Sequence, residues 1–289
     1  MGSPIFRDYD QKALDREYDN RGKVADFADY LARYPKASEA TRRTLPCRLD
    51  LRFGPNAGET LDVFPAAGPR PAPIQVFIHG GYWRALDKAD FSFVARAFQP
   101  AGAATVVLNY ALIPAVDMDE LVRQCRAAIA WLYGHAGSFG GDPERIFVSG
   151  HSAGGHLVAM LMATDWPAFA GLAADLVKGG CGISGLYDLE PIRLSYLNET
   201  LRLTPEVARR HSPVRLAPAC RAPLLLPVGA LEGPEYHRQT AELAAAWRQR
   251  GVLSEVMDMA GHHHFSIITQ LEDPASELSR AILRQMGLR

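Results

Sequence analysis

Cysteine is scarce: only Cys47, Cys125, Cys181 and Cys220 occur in 289 residues, and no two stand in a CxxC spacing. That scatter argues against a disulfide framework or a thiolate zinc knuckle, and predicts reduced thiols in a cytoplasmic chain. Long apolar runs are missing, and the opening MGSPIFRDYDQKALDREYDN is charged where a secretory leader carries an apolar core. Phe6 breaks the myristoylation pattern. An excess of either charge is missing too. With 31 basic and 32 acidic residues mixed along the chain, the net charge is −1, and neither nucleic acid nor a membrane surface is expected as a partner. No internal repeat or low-complexity tract is evident.

What is present is a hydrophobic fraction of 48%, ample for a large core. Apolar strand-like runs alternate with helix-like ones, which predicts an α/β fold: a mostly parallel central sheet with helices on both faces. The expected partner is a small-molecule substrate, with a homodimer left open. Residues 1–45 are polar and helix-favouring, with helices expected at Ala13–Tyr18 and Ala25–Tyr34 and packed on or over the core. Residues 46–289 form the main domain. Arg48–Phe53 and Leu61–Phe64 read as an edge hairpin. The Gly68–Pro73 connector leads into a buried strand ending at Ile78, and Ala104–Asn109 is the next strand. Leu121, Cys125, Ala128 and Leu132 mark the buried stripe of an amphipathic helix. Residues 186–213 read as short, Pro-broken helices between two strands, a small cap over the site.

Chemistry concentrates at the carboxyl ends of the strands. Gly150-His151-Ser152-Ala153-Gly154 sits between the strand Arg145–Ser149 and the helix opening at His156. A GxSxG there is a nucleophile elbow, whose small residues permit a tight turn that lifts the serine Oγ clear of the sheet. The competing account is an N-cap serine in a glycine-rich turn. Upstream, His79-Gly80-Gly81-Tyr82-Trp83 follows the strand Pro73–Ile78. Glycines there let backbone N–H groups approach a substrate oxygen, so Gly80, Gly81 and Ala153 are the expected oxyanion donors, against an ordinary Gly-Gly turn.

Chain order places the acid after a late strand and the base after the last one. Leu224–Val228 runs into Gly229–Glu235, where Glu232 is the expected acid. Glu235 is its competitor, more plausibly opening the next helix. The final strand ends at Ala260-Gly261-His262-His263-His264-Phe265, and His264, beside the apolar Phe265–Ile268, is the expected base. Zinc sites use spaced ligands with carboxylate or cysteine companions, so three adjacent histidines do not suggest one; no metal and no cofactor is expected. Tyr82 and Trp83 are candidates for a flat pocket wall. Asn198, with Arg193 and Arg209, is a candidate for holding a polar head from the cap.

HGGYW, GHSAGGHL, a VGxxE followed by PEYHRQT, and an HF pair near the C-terminus resemble the α/β-hydrolase kynurenine formamidases (arylformamidases) and their bacterial esterase relatives, over roughly residues 46–289. The resemblance implies the α/β-hydrolase fold and a serine hydrolase acting on an aryl formamide of the N-formylkynurenine kind or on a small ester; a general short-chain carboxylesterase is the alternative. Residue by residue, it puts the nucleophile on Ser152, the acid on Glu232, the base on His264 and the oxyanion donors on Gly80, Gly81 and Ala153. Glu232 departs from the Asp common in formamidases. A separate zinc-dependent class carries HxGTHxDxPxH, a string absent here.

Overall fold

Runs of β-branched and aromatic residues form the sheet, and their burial shows why. In the computed structural model, which describes residues 2–68 and 71–288, eight strands are present: β1 (Arg48–Arg52), β2 (Thr60–Phe64), β3 (Ala72–Ile78), β4 (Ala104–Leu108), β5 (Gly141–His151), β6 (Val177–Ile183), β7 (Leu224–Gly229) and β8 (Ser254–Met259). Their order is β1-β2-β4-β3-β5-β6-β7-β8. β1 and β2 form the antiparallel edge, and every pairing from β4 to β8 is parallel. Along β3 the alternation has period two: Ile74, Val76 and Ile78 enter the core on one face, while Phe77 enters the core on the other. Of the Gly68–Pro73 connector, Pro69 and Arg70 lie outside the described residues.

Twelve α-helices accompany these strands among the described residues: α1 (Gln11–Tyr18), α2 (Asn20–Lys23), α3 (Phe27–Thr44), α4 (Ala95–Phe98), α5 (Met118–His135), α6 (Ala153–Met162), α7 (Trp166–Ala170), α8 (Glu190–Leu194), α9 (Asn198–Leu201), α10 (Pro205–Arg210), α11 (Pro234–Arg248) and α12 (Glu277–Gln285). The α5 stripe of Leu121, Cys125, Ala128 and Leu132 is buried. α3 runs ten residues past the expected end at Tyr34, straight through Pro35. An interior proline costs a helix about 3 kcal/mol. Tyr34, Ser38 and Thr41 nevertheless form a continuous buried face, with Tyr34 tilted against Phe91 and Phe93 at 5.6 Å, so packing carries the helix through. The apolar stretch after His264 runs into a 3-10 segment, Ile267–Glu272.

Two segments flank the carboxyl edge of the sheet. α8, α9 and α10 occupy the 186–213 insertion, as short and Pro-broken as expected. They support α1: the Tyr196 N–H donates to Asp15 Oδ1 at 2.7 Å, and the Gln11 amide donates to the Leu194 carbonyl at 2.9 Å. The stretch from Tyr18 to Tyr34 lies over the site itself.

Candidate active site

The elbow is strained, and the strain has visible support. Ser152, between β5 and α6, has φ 58° and ψ −116°, a conformation that costs a non-glycine residue on the order of 1–3 kcal/mol. Its N–H donates to the Ile183 carbonyl at 2.8 Å, and its carbonyl accepts the His156 N–H at 3.1 Å. A Cβ on Gly150 would overlap the Gly154 carbonyl, and one on Gly154 would overlap the Ile78 carbonyl. Glycine is therefore required on both sides of the turn. The Ser152 hydroxyl makes no capping bond to α6, so the N-cap account fails and Oγ is left free.

The HGG loop presses against this turn. A Cβ on Gly80 would stand 2.8 Å from the His151 carbonyl and 3.0 Å from Ser152 Cβ, so only a glycine lets the two backbones meet. Gly81 has φ 106°, a left-handed value that a side chain would disfavour. Among the described residues, the N–H groups of Gly80, Gly81 and Ala153 donate to no protein acceptor. His79 anchors the loop: its ring stacks on Tyr110 at 4.3 Å, Nε2 meets Asn109 Oδ1 at 3.1 Å, and its carbonyl accepts the Tyr110 hydroxyl at 2.9 Å. Burial pushes the His79 imidazole below its ordinary pKa, so it is neutral.

Glu232 follows β7 in a tight turn closed by its own N–H to the Gly229 carbonyl at 2.9 Å. Its Oε2 accepts His264 Nδ1–H at 2.7 Å, while Oε1 accepts the Gly229 N–H at 2.8 Å and the Ser184 hydroxyl. The carboxylate is 2% exposed. Burial pushes its pKa up, but the neighbouring His264 and these hydrogen bonds outweigh burial and hold it below the ordinary value. Glu232 is thus an ionised partner for the imidazole. Glu235 sits in the first turn of α11, where it accepts the Tyr18 hydroxyl at 2.8 Å and pairs with Arg238.

The three adjacent histidines take three separate tasks. His262 Nε2 accepts from the Gln270 amide at 2.6 Å, and His263 Nδ1 accepts the N–H groups of Phe265 and Ser266 at 3.2 Å. Only His264 reaches Glu232 and lines the cavity with Ser152.

That cavity measures about 340 Å³. Tyr34, Leu86, Phe91 and Phe265 give it apolar walls, Gly81, Tyr82, Ser152 and His264 occupy the chemical end, and Tyr18, Asp19, Asn20, Arg21 and Arg84 line it as well. Tyr82 therefore falls where the sequence suggested, with its hydroxyl donating to the Tyr18 carbonyl at 2.8 Å and touching the Tyr236 hydroxyl. Trp83 does not. It is fully buried, and its indole N–H donates to His156 Nδ1 at 3.1 Å, so it ties the HGG loop to α6 instead of facing substrate. Asn198 is also outside the cavity; its side chain bonds Leu203 on both sides and closes a turn. Arg193 is spent on Glu190, and from the whole insertion only Tyr196 lines the cavity. Sequence reasoning missed the contribution of residues 18–34. The available signal was compositional: four of the ten tyrosines, Tyr9, Tyr18, Tyr30 and Tyr34, crowd into the first 34 residues.

The kynurenine formamidase of Danio rerio is 33% identical over 256 residues, covering 86% of this chain and 85% of the relative. That of Salmo salar is 32% identical, with 87% and 86% covered. The chain belongs to the kynurenine formamidase family. The BD-FAE family model matches residues 61–170, the stretch carrying both the HGG loop and the elbow. Among solved structures, a candidate thioesterase from Silicibacter sp. TM1040 superposes with a TM-score of 0.83 at 31% identity, covering 93% of this chain and 98% of that one. An esterase from Pyrobaculum calidifontis, at a TM-score of 0.70 and 18% identity, shares the fold, with 96% of this chain and 97% of that one covered. The fold is that of an α/β-hydrolase, and the protein is an enzyme that hydrolyses esters or amides. Among the described residues, no helix is long and apolar enough to cross a membrane.

Proposed function

We propose that the chain hydrolyses an aryl formamide of the N-formylkynurenine class, with Ser152 as nucleophile, His264 as general base and Glu232 as the acid that orients it. The observation that carries this reading is the 2.7 Å His264–Glu232 pair opening onto the same aromatic-walled cavity as a strained, uncapped Ser152. His264 Nε2 takes the Ser152 proton as Oγ attacks the formyl carbon. The oxyanion that forms is met by the N–H groups of Gly80, Gly81 and Ala153. The proton then passes to the departing aryl nitrogen, which leaves as the amine. Water, deprotonated by the same imidazole, releases formate and regenerates Ser152.

A cavity of about 340 Å³ lies at the small end of the range for ligand sites, which suits a one-ring aryl group with a one-carbon acyl side and disfavours long acyl chains. Short aryl esters fit the same space. The esterase relatives support them as a second substrate class; Esterase LipC of Mycobacterium tuberculosis is 29% identical over 60% of this chain. The deciding experiment is kcat/KM measured on N-formylkynurenine and p-nitrophenyl acetate with one preparation. Formate release from N-formylkynurenine with kcat/KM at or above the ester value supports the formamidase reading. A value lower by orders of magnitude leaves the short-chain esterase.

A further inference from the structure

The cavity carries charge of both signs that the hydrolytic step does not use. Arg84, two residues beyond Tyr82 on the HGG loop, lines it half-buried. Its Nη1 donates to Thr200 Oγ1 at 2.9 Å, and its backbone N–H closes the turn onto the Gly81 carbonyl at 3.1 Å. Among the described residues Arg84 has no carboxylate partner, whereas Arg193 and Arg238 are paired with Glu190, Asp188 and Glu235. A half-buried guanidinium with most of its fork unoccupied has N–H groups to offer a ligand anion in bidentate geometry. Asp19 lines the same cavity and, among the described residues, has no cationic partner; its Oδ1 caps α2 through the Gly22 N–H at 3.0 Å, leaving Oδ2 without a protein donor. Arg21 also reaches the cavity and, like Asp19, is exposed, but its guanidinium lies over the Phe27 ring at 5.9 Å.

We propose that Arg84 and Asp19 form the subsite for a zwitterionic α-amino-acid head, Arg84 taking the carboxylate and Asp19 the ammonium. The inference rests on the reading of the substrate as an aryl formamide and adds what selects among such formamides: a head of both charges joined to the aryl ketone. Thr200 fixes one arm of the guanidinium, which leaves the other N–H groups for a planar carboxylate. Because Arg84 and Gly81 share one turn, a head bound at Arg84 also holds the oxyanion loop in place.

The test uses inhibition of p-nitrophenyl acetate hydrolysis by the full chain, so that it is read separately from formamide turnover. Three probes share one aryl ketone: L-kynurenine with the complete head, its deaminated acid, and 2-aminoacetophenone with no head. Charge-assisted hydrogen bonds predict that L-kynurenine binds about 10- to 100-fold tighter than the headless ketone. Arg84→Gln should bring that ratio close to one while the inhibition constant of the headless ketone stays put, which also reports an intact cavity. Arg84→Lys should restore part of the ratio. Asp19→Asn keeps the α2 cap and should erase only the preference for L-kynurenine over the deaminated acid. Thr200→Val, a milder change, should lower the ratio a few-fold. Equal binding of headed and headless probes to the wild type overturns the subsite, as does an unchanged ratio in Arg84→Gln, or a ratio lost with Arg21→Gln instead. A chain that discriminates the heads yet releases no formate from N-formylkynurenine keeps the subsite and loses the formamidase reading.

Discussion

The loops proposed to be catalytic and the N-terminal cover meet at one cavity but are held in opposite ways. Ser152, Glu232, His264 and the HGG glycines are fixed by the sheet: each follows the carboxyl end of a strand, and each turn is locked by backbone bonds or by steric limits that only glycine meets. The cover, from Tyr18 to Tyr34, is held by side chains. The Asn20 amide donates to the Tyr236 hydroxyl at 2.6 Å and to the Tyr82 hydroxyl at 3.2 Å, Tyr18 reaches Glu235, and Tyr34 donates to the Phe265 carbonyl at 2.6 Å. Backbone-locked geometry suits bond making, where a small displacement is expensive. A side-chain clasp suits recognition, since it can vary without disturbing the sheet. Chemistry should therefore follow the loops, and selectivity the cover.

The largest effect expected is on the loops. Ser152→Ala and His264→Ala should each lower kcat by about 10⁴- to 10⁶-fold on every substrate, and Ser152→Ala should also abolish labelling by a fluorophosphonate. A loss confined to one substrate would break the division at its centre. Gly81→Ala comes next. Its φ of 106° and the overlap of an added Cβ with the Ala85 carbonyl force the loop to move, and loss of one oxyanion donor lowers kcat by about 10²- to 10³-fold with KM little changed.

Asn20→Ala should do the reverse. Removing its two hydrogen bonds to the tyrosines should raise KM several-fold and leave kcat within about threefold, as expected of hydrogen bonds worth about 1 kcal/mol each. Steady-state kinetics of Gly81→Ala and Asn20→Ala side by side decide the matter; a kcat loss in Asn20→Ala as deep as in Gly81→Ala would show that the cover is part of the machinery. His262→Ala, which removes the ring's bonds to Gln270 and Ser266, should retain kcat within about tenfold and lose about 1 kcal/mol of stability in denaturant.

A last effect concerns the pH dependence of stability and leaves the chemistry aside. His156, under the loops, is fully buried between the Trp83 indole and the His211 carbonyl, and burial depresses its pKa to about 3. An unfolded chain takes up the proton that the folded imidazole refuses. Its contribution is thus complete above the ordinary histidine value of 6.5 and is lost as pH falls toward 3. His156→Gln should flatten the stability–pH slope between those limits by up to one proton, or about 1.4 kcal/mol per pH unit, as read from urea midpoints at successive pH values.

The candidate chemical end of the site could be picked out from sequence because its constraints are local. A GxSxG at a strand–helix junction, glycines after a buried strand, and an acid and a histidine after the last two strands are tied to backbone geometry that short sequence windows encode. Even the choice among His262, His263 and His264 leaned on a local cue, the apolar Phe265 beside the last of them. Trp83 misled for an equally physical reason. An aromatic residue next to the HGG glycines serves as pocket wall or as internal brace, and only the position of His156, 73 residues away, decides which. The insertion 186–213 has the helical breaks of a cover, but which of its residues reach the cavity, here Tyr196, depends on how whole elements pack.

By itself, then, the sequence determined the strand order of the chemistry: the elbow, the glycine loop and the positions from which an acid and a base reach them. Each follows from steric and hydrogen-bonding demands within a few residues. Tertiary structure alone decided the walls. Tyr18, Asn20 and Tyr34 meet Tyr82, Tyr236 and Phe265 across more than sixty residues of chain, and Arg84 and Asp19 share one cavity only because α1–α3 fold back over the sheet. Contacts of that separation leave no periodicity to read, because they are chosen by the packing of whole elements and not by the turn of any one of them.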